Sequence, residues 1–465
     1  MTRRTWVRLD NTSNIFLAAR TDTDPKVFRV GAELDHVVDP ATLQRALDAT
    51  YDRYPLYHAV LRSGVFWYYL QDSDLRPLVS AEDQHTCAPL YVADRRTLLF
   101  RVVHHGPRVS LEVFHALTDG TGALWFLVDL LAAYVGLRAE GRVAGQDAGE
   151  APDAARGLTG DSFAHYFRGR DPEDGATEAD PAGAAFVRAA STAPVAEAPP
   201  VPRAERHRER PSRVHRVRGT RTPDHRTRVV ELTVPAPEVI ALAKAEGVAV
   251  TVYLTALLFE AVRRSAPRLA PTRTLGASLP VNLRQFFPST SARNFFATVR
   301  LEHTYGNDDQ EVLGEVCRDL DAQFRRAATP EALEDKLRGF IRLERAPLLR
   351  VVPRPLKDVL LGLVNASSNR GLTVAVSNLG RVALPEEVAA HVGRMQFHVS
   401  AARPQLSVLS HAGLLTLSFT SPFVETAHVE EVARFLTARG VEVRVAAGRV
   451  TEAELAEGEP VEVGR

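Results

Sequence analysis

Cysteine is nearly absent: Cys87 and Cys317 are the two in a chain of 465 residues. That scarcity excludes a disulfide scaffold and a four-cysteine metal site, and it leads us to expect a reduced, cytoplasmic setting. Net charge is missing too, because Lys and Arg total 57 and so do Asp and Glu. A basic field built for nucleic acid, or a strongly acidic one, is therefore not expected. No uncharged apolar run approaches the ~20 residues of a membrane span. The longest apolar stretch, around Ala123 to Leu137, is interrupted by Asp129. Arg3 and Arg4 form a twin-arginine pair, but no apolar run of export length follows it. Glycine-rich phosphate loops and the Gly-x-Ser-x-Gly elbow of α/β-hydrolases do not occur. There is no tandem repeat, and no His/Cys/Asp/Glu set with the local spacing of a zinc site, so no metal is expected.

What is present is ordinary globular composition, 45% hydrophobic and 25% charged. The length fits about two to four domains. Composition changes near Glu140. From there to about Arg228 the chain is rich in Ala, Pro, Gly and charge, acidic first and then basic. Ten arginines stand against three acids between Arg203 and Arg228. Such a stretch buries too little apolar surface to offset its ordering entropy, and no aromatics interleave with the arginines as stacking platforms. The pattern predicts an N-terminal unit at 1–140, a flexible crossover at 141–228 and a C-terminal unit at 229–465.

Both flanking units mix strands and helices. Asp39-Pro40, followed by Leu43, Leu47, Tyr51 and Tyr54, predicts a capped helix. Residues 97–103 and 109–114 read as a hairpin, and the aromatic run Val65 to Leu70 as a strand. A very apolar helix is expected from Ala123 to Val135, ended by Gly136. The second unit predicts a strand at 229–234, a helix from Glu238 ended by Gly247, and a buried helix from Val252 to Val262 capped by Thr251. Strands follow at 274–280, 296–302, 371–377, 405–410 and 413–420. Helices are expected at 311–327, 331–345, 355–364 and 426–438. This order points to two α+β halves with mixed sheets rather than a doubly wound sheet.

The stretch with most chemical content is Phe114-His115-Ala116-Leu117-Thr118-Asp119-Gly120-Thr121-Gly122. A strand ends at His115, and a helix follows two glycines. A histidine leaving a strand end projects into a cleft, where a neutral imidazole takes a proton from an attacking hydroxyl, thiol or amine. Its tautomer must be fixed by a neighbour. Asp119 is placed to buttress the turn.

His115-x-x-x-Asp119-Gly120 resembles the motif of the acyltransferase superfamily that includes chloramphenicol acetyltransferase and the condensation domains of peptide synthetases. Further strings carry the likeness towards its bacterial alcohol acetyltransferase-like branch: Arg8-Leu9-Asp10-Asn11, Gly64 to Leu70, Pro280 to Pro288 with Arg293-Asn294-Phe295-Phe296, and Ser377-Asn378-Leu379-Gly380-Arg381-Val382. The likeness runs over nearly the whole chain apart from much of 140–228. Condensation domains usually carry a second histidine where this chain has Phe114.

The resemblance implies two chloramphenicol-acetyltransferase-like subdomains with an active-site tunnel between them. It implies direct acyl transfer from a thioester, carried by coenzyme A or a carrier protein, to a small-molecule alcohol or amine. His115 matches the general base. Asp119 matches an aspartate that pairs with an arginine, for which Arg284 is the candidate, and Gly120 would allow the turn. Ser377, Asn378 or a nearby backbone N–H would face the oxyanion, unless that string is only a turn. Asn282 and Asn294 are further polar candidates, and the aromatics 66–69 would line the channel or pack in the core. No cofactor beyond the acyl donor, no nucleic acid and no membrane span are expected, and a monomer is. The alternatives are an amide-forming or cyclising enzyme of the same fold, and an idle binding module.

Overall fold

The computed structural model describes residues 6–9, 11–93, 95–140, 214–266, 273–287, 289–306, 312–345 and 354–456. The chain begins with β1 (Trp6–Arg8), α1 (Asn11–Ala19), β2 (Val27–Leu34) and α2 (Pro40–Asp52). It continues through β3 (Ala59–Ser63), β4 (Tyr68–Asp72), β5 (Ser80–Ala81), β6 (Phe100–His105), β7 (Arg108–Phe114) and α3 (Gly120–Glu140). Next come β8 (Arg228–Pro235), α4 (Ala236–Ala245), α5 (Val250–Ser265), β9 (Arg273–Asn282), β10 (Phe296–Tyr305), α6 (Leu313–Ala327), α7 (Pro330–Arg345) and α8 (Arg354–Arg370). The last elements are β11 (Val374–Arg381), α9 (Glu386–Ala389), β12 (Val392–Val399), β13 (Gln405–His411), β14 (Leu414–Ser421), α10 (Ala427–Thr437), β15 (Arg444–Ala447) and α11 (Glu452–Ala456).

Two mixed sheets carry the architecture. The first has the order β12-β2-β7-β6-β5, and the second β10-β9-β11-β13-β14-β8-β15. Each covers its own hydrophobic cluster, one centred on α2 and α3 and the other on α5 and α6. Local chemistry explains several boundaries. Asp39 caps α2 by accepting a bond from Thr42 N at 2.9 Å, with Pro40 behind it. α3 is apolar all round, as a helix buried on every side must be. It has the length and apolarity of a membrane span, yet 83% of that apolar stretch is buried inside the fold. Its buried acid, Asp129, accepts bonds from Tyr54 Oη at 2.9 Å and Arg53 at 3.2 Å.

Several expected boundaries shift. Gly136 does not end α3, which runs on to Glu140. Thr251 lies inside α5 rather than capping it, and its hydroxyl accepts a bond from Asn378 instead. The strand expected from Val65 starts at Tyr68, because Gly64 N bonds Trp67 O and closes a turn there. Of the expected crossover, 141–213 lie outside the described residues. Its end is not loose: Val214 pairs with Thr274, and Arg221 with Phe423.

The main departure concerns the division into units. β12 belongs to the second half by sequence, yet it pairs antiparallel with β2 and completes the first sheet. Its side chains face back to the second sheet. His398 bonds Glu231 of β8 at 2.8 Å, and Arg394 bonds the same carboxylate at 3.0 Å. Burial alone would raise the pKa of Glu231, but these two partners hold it down to about 2. The boundary at 229 therefore does not separate two self-contained units.

Candidate active site

His115 follows the last residue of β7, and its N–H bonds Lys26 O at 2.8 Å. The ring sits among three phenylalanines. Phe16 of α1 stacks on it at 4.0 Å between centroids, Phe28 of β2 meets it edge-on at 4.9 Å, and Phe296 of β10 lies at 5.6 Å. Burial pushes its pKa down to about 4, so the imidazole is neutral near pH 7.

Asn294 determines which nitrogen carries the proton. Its Nδ2 donates to His115 O at 2.7 Å and to Ser13 Oγ at 2.9 Å. A carbonyl accepts only, so the amide nitrogen must point there and Oδ1 must face the ring. His115 Nδ1 lies 3.2 Å from that Oδ1 and is therefore the protonated nitrogen. Nε2, with no hydrogen-bond partner among the described residues, keeps its lone pair.

Asp119 turns away from the ring. Its Oδ1 accepts from Gly122 N at 3.0 Å and so caps α3. Its Oδ2 accepts from Phe295 N at 2.9 Å and from Arg284 Nη1 at 2.7 Å. Arg284, nearly fully buried, gives its other guanidinium nitrogens to the carbonyls of Ser291 and Arg293. The pair thus pins the 291–295 segment, including Asn294, beside the motif loop. Gly120 plays a different part from the one expected. It opens α3 without a positive φ, and a Cβ there would lie 2.5 Å from Leu379 Cδ2. Gly122 makes the closest approach, since a Cβ would meet Thr118 Oγ1 at 2.2 Å and Ala292 O at 2.3 Å.

A cavity of about 220 Å³ opens onto His115 and is lined from both sheets, by Phe28, Asn282, Thr298, Ser377, Phe397 and Arg403 among others. The Ser377 hydroxyl lines it with no hydrogen bond to another described residue. Asn378 is occupied, donating to Thr251 Oγ1 at 2.9 Å and accepting from Gly380 N at 2.7 Å. Asn282 caps the turn at Arg284 N and donates to Thr121 Oγ1 at 3.3 Å. The aromatics 66–69 do not line it. Trp67 lies under Arg8 and Lys357, and Tyr68 bonds Asp358. A surface hollow of about 340 Å³ between α5 and α10 holds the Glu260 and Glu431 carboxylates beside Arg264 and Arg434, with no histidine, cysteine, serine or lysine in its lining.

Phe16, Ser13 and Arg403 carried no motif. Asp35, His36 and His391 bring ligand-type atoms within 4.8 Å of one another, at the end of β2 remote from His115. His391 joins this set only through the crossing of β12, so no sequence spacing could announce it.

No protein-family model and no curated protein matches the chain. Solved structures do match. TRI101 of Fusarium sporotrichioides, complexed with coenzyme A and T-2, shares 12% identity at a TM-score of 0.58, covering 95% of this chain and 99% of that one. The first condensation domain of the calcium-dependent antibiotic synthetase, in complex with a substrate analogue, shares 16% at 0.56, covering 95% and 99%. Trichothecene 15-O-acetyltransferase TRI3 of F. sporotrichioides shares 11% at 0.56, covering 94% and 95%. The likeness shows the fold. It is the two-subdomain, mixed-sheet architecture of these proteins, along nearly the full chain.

Proposed function

We propose that the chain is an acyltransferase that moves an acyl group from a thioester to an alcohol or amine, with His115 as general base. The observation that carries this is the neutral imidazole, its Nδ1–H committed to Asn294 and its Nε2 left basic on a cavity lined by both sheets. His115 Nε2 takes the acceptor's proton as the acceptor oxygen or nitrogen bonds to the thioester carbonyl carbon. The resulting oxyanion needs a donor, and Ser377 is one of the cavity hydroxyls, with Ser278 and Thr298, whose oxygen is not engaged by another described residue. Collapse breaks the C–S bond, and the protonated imidazole returns its proton to the departing sulfur. Asp119 and Arg284 hold the loop and relay no proton. The donor is an acyl-CoA or an acylated carrier protein.

An amide-forming role of the condensation type is the second reading, supported by the condensation-domain fold. Phe114 weighs against it. Where those domains usually carry a second histidine, this chain has a fully buried ring stacked on Tyr91 at 5.5 Å.

The test is thiol release from a panel of acyl-CoAs and acyl carrier proteins, with alcohols and amines as acceptors. Acceptor-dependent release that falls by ~100-fold or more in His115→Ala is expected. Equal release from both proteins would remove His115 from the mechanism.

A further inference from the structure

Four charged side chains besides His115 line the cavity: Asp24, Lys26, Asp119 and Arg403. Three have their charge balanced within the protein. Asp119 is neutralised by Arg284. Lys26 holds the Asp24 carboxylate, which also accepts from Ser400 Oγ at 2.8 Å. Lys26 adopts a left-handed backbone conformation, φ 59°, that a lysine takes only at a cost. That geometry turns its carbonyl to His115 N and its ammonium to Asp24.

Arg403 is the fourth, and it is left over. It sits in the turn between β12 and β13, half-buried, with no hydrogen bond or ion pair to another described residue. Burial disfavours its charge, Asp24 offsets this in part, and exposed Arg216 beyond it adds repulsion. A guanidinium cannot discharge at physiological pH. Partly desolvated and without an ionic partner among the described residues, it is a costly arrangement for a stable protein to keep, and a ligand carboxylate repays it through two parallel N–H···O bonds.

We propose that Arg403 is the anion-recognising residue of this cavity and that the acyl acceptor carries a carboxylate. This rests on the acyltransferase reading above, and it adds the acceptor's chemical class. The phosphates of coenzyme A are the other anions at hand. They lie at the far end of the pantetheine arm from the reacting carbonyl, whereas Arg403 shares the small cavity of His115.

The probes are hydroxy acids and amino acids of graded length, each paired with its methyl ester. Wild type is expected to turn over the acids better than the esters. Arg403→Gln should lower kcat/KM for the acids on the order of 30-fold more than for the esters, the size of a charged hydrogen-bonded contact. Arg403→Lys should recover part of that gap. Thermal stabilisation of the full chain by acid over ester, present in wild type and lost in Arg403→Gln, reads the same contact without turnover. Equal losses for acid and ester, or equal stabilisation of both proteins, would overturn the proposal. So would a loss that disappears when the donor is an acyl-pantetheine without phosphates, because Arg403 would then serve the donor. If wild type transfers no acyl group to any acceptor, the reading of the reaction fails, and the stabilisation arm still decides the anion site.

Discussion

Replacing Asn294 with aspartate tests how the His115 tautomer is held. The side chain keeps its size and keeps an oxygen 3.2 Å from His115 Nδ1. It exchanges a neutral acceptor for a charged one, and it loses the donor that bonds His115 O and Ser13. An anion in contact with an imidazole favours the imidazolium, typically by about 1–3 pKa units. The acid limb of activity should therefore move from about 4 towards roughly 5–7. The sign follows from the proposed role of base: protonated His115 cannot accept a proton, so activity is lost as pH falls through its pKa. At pH 5 wild type keeps roughly nine-tenths of its base neutral, whereas a limb at 6 would leave about one-tenth. Asn294→Ala is the control. It removes the tautomer contact without adding charge, so its rate should fall at every pH, by roughly 2–10-fold for one neutral hydrogen bond, with no rise in the limb. The assay is thiol release from pH 4.5 to 8. An aspartate variant with the wild-type limb, or an alanine variant with the same upward shift, would refute the account.

Asp119→Asn or Arg284→Gln leaves one buried charge unpaired and should cost about 3–5 kcal/mol in chemical denaturation; a loss below ~1 kcal/mol would mean the site relaxes around the change. Gly122→Ala brings a Cβ to 2.3 Å from Ala292 O, so despite the helix preference of alanine it should destabilise by about 1–3 kcal/mol. A stabilised variant would show that the 291–295 segment yields freely. Burial holds the pKa of His428 down to about 4 against about 6.5 unfolded. The unfolded chain thus binds the proton first, and this contribution, full above pH 6.5, is lost as pH falls towards 4, up to about 3 kcal/mol. His428→Leu should flatten that fall in denaturation curves at pH 4.5 and 7; an unchanged slope would sink the assignment.

Sequence reasoning put His115, Asp119 and Arg284 forward as candidates through a short motif and a string shared with the resembled family, and the expected pairing of Asp119 with Arg284 is present. The hairpin β6–β7 and the strands β8, β9, β10, β11, β13 and β14 were legible because their apolar runs lie between turn residues, whereas β12 and β15 were not expected. β2 was not. Seven of its eight residues are buried, across both faces, and Arg29 near its middle is paired with Glu112 and Glu82, so no alternation marks it as a strand. The clamp on His115 was equally hidden. Phe16, Phe28 and Phe296 come from three elements remote in sequence, and each reads locally as ordinary core. Gly122 was passed over for Gly120 because a tight turn is visible in a string, while a backbone carbonyl approaching from residue 292 is not.

The crossing of β12 stiffens one side of the cavity. Phe397, Val399 and Ser400, at the end of that strand, form one side of the cavity. The strand is seamed to β2 by its main chain and to β8 by His398 and Arg394. A wall stitched along both edges cannot swing aside without breaking a strand ladder and a buried ion pair together. That side of the cavity is therefore a fixed wall, and any adjustment to an occupant falls to the other lining residues.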